Sequence, residues 1–474
     1  MELRELMGEG APGVEITGLA HDSRDVGPGT LFFCVSGLRR DGHEFAPEAI
    51  RRGAGALVVE RPLGLEVPEV VVSSARAAMA PAAARFYGDP TADLDVVGIT
   101  GTNGKTTTAF LVRALLEAAG RPCGLLGTVT SVVGGRERGV VRTTPEAIAL
   151  QATFREMADA GDTACAMEVS SHALELHRVD AVHWAVAVFT NLTQDHLDFH
   201  PSMEDYFLAK RRLFQAHPGA AVLNLDDPYG RRLAGELPEA VTFAIEREAH
   251  FRAHGLRTDA DGSRLVLEMP DGRAELCFPL PGRFNVLNLL GAVAAVRCLG
   301  VGVEQIAKAV PRAGRVPGRF EPVQEGQDFA VLVDYAHTPD SLENVLQAAR
   351  GLGAGRLVAV FGCGGDRDRG KRRLMGEIGT RLADAVIVTS DNPRSEDPEA
   401  IVEEILAGAG PGVEAILDRR AAIARGIELA GPGDVVVIAG KGHEQGQEFE
   451  NGRKEPFDDV QVAREALREA ALAR

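Results

Sequence analysis

The stretch from Leu94 to Ala119 constrains this chain's fold more than any other. An apolar run, Leu94-Asp95-Val96-Val97-Gly98-Ile99-Thr100, leads straight into Gly101-Thr102-Asn103-Gly104. A helical pattern follows from Thr106 to Ala119 and is stopped by Gly120 and Pro122. A strand that empties through a Gly-rich turn into a helix is βα grammar, so it predicts a mainly parallel sheet with helices on its faces. The glycines let backbone amides turn toward an anion, and the helix N-terminus adds its partial positive charge. Lys105 is placed to reach the β and γ phosphates of a nucleoside triphosphate, and the hydroxyl of Thr106 or Thr107 to ligate Mg²⁺. Ile99 stands where the usual GxxxxGK[ST] spacing has its first glycine. A plain Gly-rich turn with a surface lysine is the alternative, and the flanking strand and helix weigh against it.

The same grammar recurs along the 474 residues, a length that suits about two to four domains. Short β-like runs at 30–35, 56–59 and 70–72 alternate with helical stretches, and Gly88-Asp89-Pro90-Thr91 reads as a linker. Strand candidates at 163–167 and 185–189 follow. Between about 240 and 280 the pattern changes to short strands around Asp271-Gly272, as in an antiparallel patch. A second boundary falls at Gly314 to Arg319. Beyond it, runs at 330–333, 356–361, 385–389 and 434–439 predict a Rossmann-like sheet. The expected fold class is therefore α/β in three domains, 1–88, 89–317 and 318–474, the central one a P-loop domain.

Charge and cysteine usage narrow the function. Lys plus Arg number 51 against 68 Asp plus Glu, a net charge of −17, which disfavours nucleic acid or an anionic membrane as partner. No apolar run reaches the roughly 20 residues of a membrane helix, and the acidic start Met1-Glu2-Leu3-Arg4-Glu5 is no signal peptide. Six scattered cysteines without a CxxC fit reduced thiols, and a cytoplasmic protein is expected. Lysine is rare, occurring at 105, 210, 308, 371, 441 and 454, so each amine deserves a chemical explanation.

A second group of polar residues follows the strand candidates. Glu168-Val169-Ser170-Ser171-His172 comes after one apolar run and Asn191 to His200 after the next. Strand C-termini are where α/β sites gather, and a carboxylate such as Glu168 there suits Mg²⁺ held against phosphates. Singly these are capping or structural residues; together at adjacent strand ends they predict a site. Lys210, beside Arg211 and Arg212, reads on its own as part of a solvated helix face.

Taken together, Gly101 to Thr107, Glu168 to His172, Asn191 to Asp198 and Asp334-Tyr335-Ala336-His337 closely resemble the Mur ligases of peptidoglycan synthesis. The resemblance runs in order from His21 to Glu444, and the shortened phosphate loop is that family's own form. Within the family, Arg142-Thr143-Thr144-Pro145, Gly364 to Asp368, Asp391-Asn392-Pro393-Arg394 and Gly440 to Glu444 resemble the branch that adds the third peptide residue. The implied reaction moves the ATP γ-phosphoryl to the D-Glu γ-carboxylate of UDP-N-acetylmuramoyl-L-Ala-D-Glu, after which an amine attacks the acyl phosphate. By resemblance, ATP meets Gly101, Thr102, Asn103, Gly104, Lys105, Thr106, Thr107, Asn285, Asn288, Arg319 and Asp334. Thr106, Glu168, His196 and a carbamylated Lys210 (N6-carboxylysine) would hold Mg²⁺, with Lys105, Glu168, His196 and Lys210 catalytic. A carbamate is an anionic oxygen donor, which reverses the surface reading of Lys210. The N-terminal domain would bind the UDP part at Ser23 and around Leu38 to Asp41, while Thr143, Thr144, Ser170 and Arg178 meet the muramoyl peptide. Leu176 and Arg373 depart from the family pattern, where Gln and Pro are usual. A monomer is expected.

The third domain should choose the amino acid. Meso-diaminopimelate differs from lysine by a distal carboxylate, and Arg394 offers a planar fork for it. Arg367, Asp391, Asn392, Pro393, Gly440 and Glu444 match the remaining contacts. Diaminopimelate is favoured, with lysine or ornithine as alternatives. Arg394 could instead brace a loop through Asp391 or Glu396. A rival from another class is a nucleotide switch that binds ATP without chemistry, and a rival enzyme is a superfamily member such as a folylpolyglutamate synthase.

Overall fold

The computed structural model describes residues 1–37, 40–259, 262–352 and 355–473, and they form two compact units. The expected uridine contacts Leu38 and Arg39 lie outside the described residues.

The first unit comprises Met1–Thr100, Gly120–Val188 and Ala209–Ala221. Its N-terminal part is a four-stranded parallel sheet of Gly18–Ala20, Thr30–Phe33, Ala54–Val59 and Glu69–Val71. Alternation along these strands sends Leu31, Phe33, Ala56 and Val58 to a core shared with the helix Ala75–Phe86. Phe32, Cys34, Leu57 and Val59 face the opposite core, where the helix Ala46–Arg51 packs. Both faces are covered, which is why the strands read as unbroken apolar runs. The unit also holds the strands Trp184–Phe189, Asp95–Thr100, Ala164–Glu168, Cys123–Leu126, Ser131–Val133 and Arg136–Arg138, side by side in that order. Asp95–Thr100, Ala164–Glu168 and Cys123–Leu126 are parallel, and the last two strands add an antiparallel hairpin. Gly98 gives close passage here: a β-carbon would lie 2.6 Å from the ring of Trp184, so the indole rests directly on the strand backbone.

The second unit comprises Gly101–Ala119, Phe189–Leu208 and Val222–Arg474. The helix Lys105–Ala118 packs along Arg283–Cys298. The antiparallel patch is a meander of Phe251–Asp259, Gly262–Met269 and Gly272–Phe278, turning at Pro270-Asp271. C-terminal to it lies a six-stranded sheet in the order Glu321–Pro322, Ala330–Asp334, Val435–Ala439, Leu357–Phe361, Ala385–Val388, Glu414–Ala415. All of its pairings are parallel except the first. Helices Pro339–Arg350, Gly370–Leu382 and Pro398–Leu406 cover one face, and Arg419–Leu429 and Asp459–Ala473 the other. The chain is thus α/β with mainly parallel sheets, as its apolar runs predict.

Among the described residues no helix is long and apolar enough to cross a membrane. None of the six cysteines is joined in a disulfide. Burial pushes the Cys34 and Cys363 thiols up to about 12, which makes them packing groups rather than nucleophiles.

Candidate functional site

In the second unit the loop after Thr100 is set by backbone geometry. Gly101 has φ 151°, and a β-carbon there would lie 1.9 Å from Thr190 Oγ1, so no other residue fits. The segment 190–193 clamps the loop. The Thr102 amide donates to the Asn191 carbonyl at 2.9 Å, and the Asn103 amide to Asn191 Oδ1 at 2.9 Å. Thr190 Oγ1 donates to the Asn103 carbonyl at 2.7 Å, and the Thr193 amide to Thr102 Oγ1 at 3.0 Å. That segment is itself held by Asn224, whose amide donates to the Thr190 carbonyl, and by Asp227, which accepts the Leu192 amide.

Lys105 starts the helix, and its Nζ lies over the loop, donating to the carbonyls of Gly101 (2.9 Å) and Thr102 (2.8 Å). Thr106 and Thr107 are buried, and Arg319 donates to Thr106 Oγ1 at 3.1 Å while stacking on the Tyr335 ring. Asn285 and Asn288 are buried on the packed helix, and Asn288 Oδ1 occupies the space a side chain on Gly104 would take. Asp334 ends its strand with both oxygens on backbone amides, those of Phe320 (2.6 Å) and Ala336 (2.8 Å). Burial raises its pKa to about 6 against the pull of Arg319 and those two amides. The motif that contains it therefore braces the loop carrying Arg319.

His196 has left-handed backbone, φ 55°, and belongs to a charged cluster. Asp195 accepts the His196 amide at 2.9 Å, and its Oδ2 stands 3.9 Å from His337 Nε2. Burial pushes the Asp195 pKa up, but the His196, His337 and Lys371 charges outweigh it and hold the carboxylate ionised. Asn103 also donates to Asp340 at 2.7 Å and Gln194 to Asp368 at 3.0 Å, so this loop region and the six-stranded sheet's loops are tied together.

The expected amino-acid residues gather at the C-terminal ends of the six-stranded sheet. Lys441 Nζ is fully buried and donates to Asn392 Oδ1 (2.8 Å) and Glu444 Oε2 (3.1 Å), with Asp391 Oδ1 at 3.6 Å. Asn392 Nδ2 donates to Glu444 at 2.8 Å, and Gly440 packs against Asp391. Arg394 does brace a loop, but through neither Asp391 nor Glu396: Nε donates to Glu448 at 3.0 Å and Nη1 to the Gly365 carbonyl at 2.7 Å. Glu396 is taken by the buried Arg372. Pro393 precedes Arg394 with its carbonyl close to Gly365, and Arg367 is exposed, donating to the Asp366 carbonyl.

In the first unit, Glu168 ends the strand Ala164–Glu168 and is buried. It accepts the Thr128 amide (2.7 Å) and the Thr128 hydroxyl (3.1 Å). Thr128 Oγ1 lies 3.1 Å from Thr143 Oγ1, and Thr144 Oγ1 donates to the Glu168 carbonyl at 2.9 Å. Ser170 caps the helix Ser171–Glu175, and its amide donates to Thr144 Oγ1. Arg178 pairs with Glu146 at 2.7 Å, and Arg76 and Arg142 pair with the same carboxylate. Burial lowers the Arg178 pKa, and its buried Nε has no hydrogen-bond partner among the described residues. Ser23 is buried in the turn after Asp22. Lys210 is 1% exposed, so the helix Met203–Gln215 turns it inward, against the solvated-face reading.

Four contributors escape a reading by motif. Thr128 and Glu146 carry no local signature, and Glu448 stands 54 residues from Arg394. Lys441 lies in the Gly440 to Glu444 motif and is one of six lysines, but nothing in the motif signals its role as the hub.

Three family models match consecutive parts of the chain: "Mur ligase family, catalytic domain" over residues 15–87, "Mur ligase middle domain" over 99–296, and "Mur ligase, glutamate ligase domain" over 318–442. A relative from Syntrophomonas wolfei, named UDP-N-acetylmuramoyl-L-alanyl-D-glutamate–2,6-diaminopimelate ligase, is 47% identical across 96% of this chain and 95% of its own. The chain belongs to the Mur ligase family. A solved structure of a ligase with that same name is 34% identical, covers 99% of both chains and superposes with a TM-score of 0.71. The MurF ligase of Thermotoga maritima in complex with ADP has the same fold at 20% identity, covering 98% of this chain and 99% of its own with a TM-score of 0.65. As a Mur ligase in three α/β domains, the chain is an enzyme, which removes the nucleotide-switch alternative.

Proposed function

We propose that this Mur ligase joins meso-2,6-diaminopimelate to the D-Glu γ-carboxylate of UDP-N-acetylmuramoyl-L-Ala-D-Glu, using ATP, in peptidoglycan precursor synthesis. The observation that carries the reading is identity of 47% over nearly the whole chain to a ligase of that name. The divisions 1–88 for the UDP part, 89–317 for ATP and 318–474 for the amino acid go with it, as do a monomer and a cytoplasmic site of action.

The chemistry assigns roles residue by residue. The loop Gly101 to Thr107 binds the phosphates through its amides, and the Lys105 amine moves from its two loop carbonyls to the β and γ oxygens. Asn285, Asn288, Arg319 and Asp334 complete the nucleotide site, Asp334 chiefly by holding the Arg319 loop. Ser23, Thr143, Thr144, Ser170 and Arg178 hold the UDP-muramoyl dipeptide, and the unpartnered Arg178 Nε is a donor awaiting an acceptor. Phosphoryl transfer to the γ-carboxylate gives an acyl phosphate. The amine then attacks the acyl carbon, a tetrahedral centre forms, and phosphate leaves as the amide bond closes.

Among the described residues no three His, Cys, Asp or Glu side chains converge on a metal position. By the family resemblance, Mg²⁺ would draw on the Thr106 hydroxyl, the Glu168 carboxylate fixed by Thr128, His196, and Lys210 as its carbamate. These mainly hard oxygen donors fit Mg²⁺, which would supply charge neutralisation at the phosphates. Arg367, Asp391, Asn392, Pro393, Arg394, Gly440 and Glu444 receive diaminopimelate, with the Arg394 guanidinium on the distal carboxylate.

The test is phosphate release with ATP, Mg²⁺ and UDP-N-acetylmuramoyl-L-Ala-D-Glu, adding meso-diaminopimelate, L-lysine or L-ornithine separately. Release strongest with diaminopimelate is expected. Equal or stronger release with lysine or ornithine would keep the ligase and overturn its amino acid.

A further inference from the structure

Arg394 is held at three points, and two of them belong to one residue. Its backbone is left-handed at φ 53°, and its amide donates to the Glu448 carbonyl at 3.0 Å. Its Nε donates to Glu448 Oε2 at 3.0 Å, and its Nη1 to the Gly365 carbonyl at 2.7 Å. The Glu448 amide donates in turn to Asn392 Oδ1 at 2.9 Å, the same oxygen that accepts from Lys441. Glu448 lies on the short strand Gly446–Glu448, paired antiparallel with Lys454–Pro456, so its register is fixed. A guanidinium has five N–H groups. With Nε and one Nη1 hydrogen engaged, three of the five N–H groups remain, and Nη2 has no hydrogen bond among the described residues.

We infer that Glu448 is a positioning residue for amino-acid specificity: it holds the Arg394 guanidinium so that its Nη1–Nη2 edge faces the distal carboxylate of the incoming diamino acid. This rests on the assignment of Arg394 to that carboxylate. Two effects of Glu448 oppose each other. Its negative charge weakens the pull of Arg394 on an anion, but both side chains are partly exposed, about 21% and 33%, so solvent screens part of that loss. Its acceptor oxygen fixes a long side chain that would otherwise lose rotamer freedom on binding, and this stronger effect favours binding. The pairing also means that lysine does not strand a bare guanidinium. Lysine is rejected mainly for lack of attraction, by a smaller margin than an unpaired Arg394 would give.

Substitutions separate the charge from the acceptor. Glu448→Leu removes both, and the KM for meso-diaminopimelate is expected to rise about tenfold, the size of one charge-assisted hydrogen bond. Its kcat, and its KM values for ATP, the UDP-linked dipeptide and L-lysine, should stay within about twofold. Glu448→Gln keeps the acceptor and drops the charge, so its diaminopimelate KM should return to the original value or below. Should the leucine variant fail to fold, Glu448→Asp withdraws the oxygens by one methylene and should raise the same KM alone. A diaminopimelate KM unmoved by these changes, or a rise shared equally by ATP and lysine, overturns the inference. Arg394→Ala separates the levels: if it leaves the diaminopimelate KM unchanged, the underlying assignment falls too, whereas a large effect there with none at Glu448 removes only the positioning role.

Discussion

The phosphate loop and the amino-acid cluster are built on opposite plans. The loop is seven consecutive residues, Gly101 to Thr107, shaped by backbone conformation and clamped by one neighbouring segment, 190–193. The cluster draws side chains from 391–394 and 440–448 and one carbonyl from Gly365: the buried Lys441 amine joins Asp391, Asn392 and Glu444, and Arg394 joins Glu448 and Gly365. A backbone device tolerates no added atom, while a side-chain device depends on its buried groups keeping their partners. The contrast explains why one reads as a motif and the other only in part.

The largest effect should come from removing the hub. Lys441→Met leaves Asp391 and the Asn392 oxygen buried, and the part-exposed Glu444, without their cation, which should cost about 3–5 kcal/mol, seen as a lowered urea midpoint. Adding one carbon to the loop comes next. Gly101→Ala forces a clash with Thr190 at a backbone angle alanine avoids, and ATP affinity by calorimetric titration should fall about a hundredfold, roughly 2.7 kcal/mol. If the alanine variant binds ATP normally, the rigid-loop half of the contrast is wrong. A residue outside both regions sharpens the picture: Thr128→Val removes the hydroxyl on Glu168, and kcat should fall about tenfold with diaminopimelate KM unchanged.

The smallest effect is a pH dependence from Asp334. Burial raises its folded pKa to about 6, above the unfolded value, so the folded chain binds a proton that the unfolded chain has released. The stability it contributes is complete below about pH 4 and is lost as pH rises through 6. Asp334→Asn should flatten the melting-temperature profile across that window.

The strands were legible because they are buried on both faces: apolar runs at 163–167 and 185–189 became Ala164–Glu168 and Trp184–Phe189. The loop was legible because its glycines and Lys105 are consecutive, although the segment that clamps it lies at 190–193. Lys210 was not legible from its neighbours, since Arg211 and Arg212 argue for solvent and yet its side chain is buried. Thr128 and Glu448 were invisible for a different reason. Each meets its partner across 40 or more residues, and the only signal of such a pairing is the folded chain itself.

Trp184 is the only tryptophan in the chain, and its indole lies against the backbone of the strand that delivers the phosphate loop. Gly98, three residues before Gly101, provides the opening. The molecule thereby carries its own fluorophore beside the segment that must respond to nucleotide. Its intrinsic emission, excited at the red edge to spare the four tyrosines, is expected to change as ATP arrives, an optical, label-free signal that stopped-flow mixing can follow.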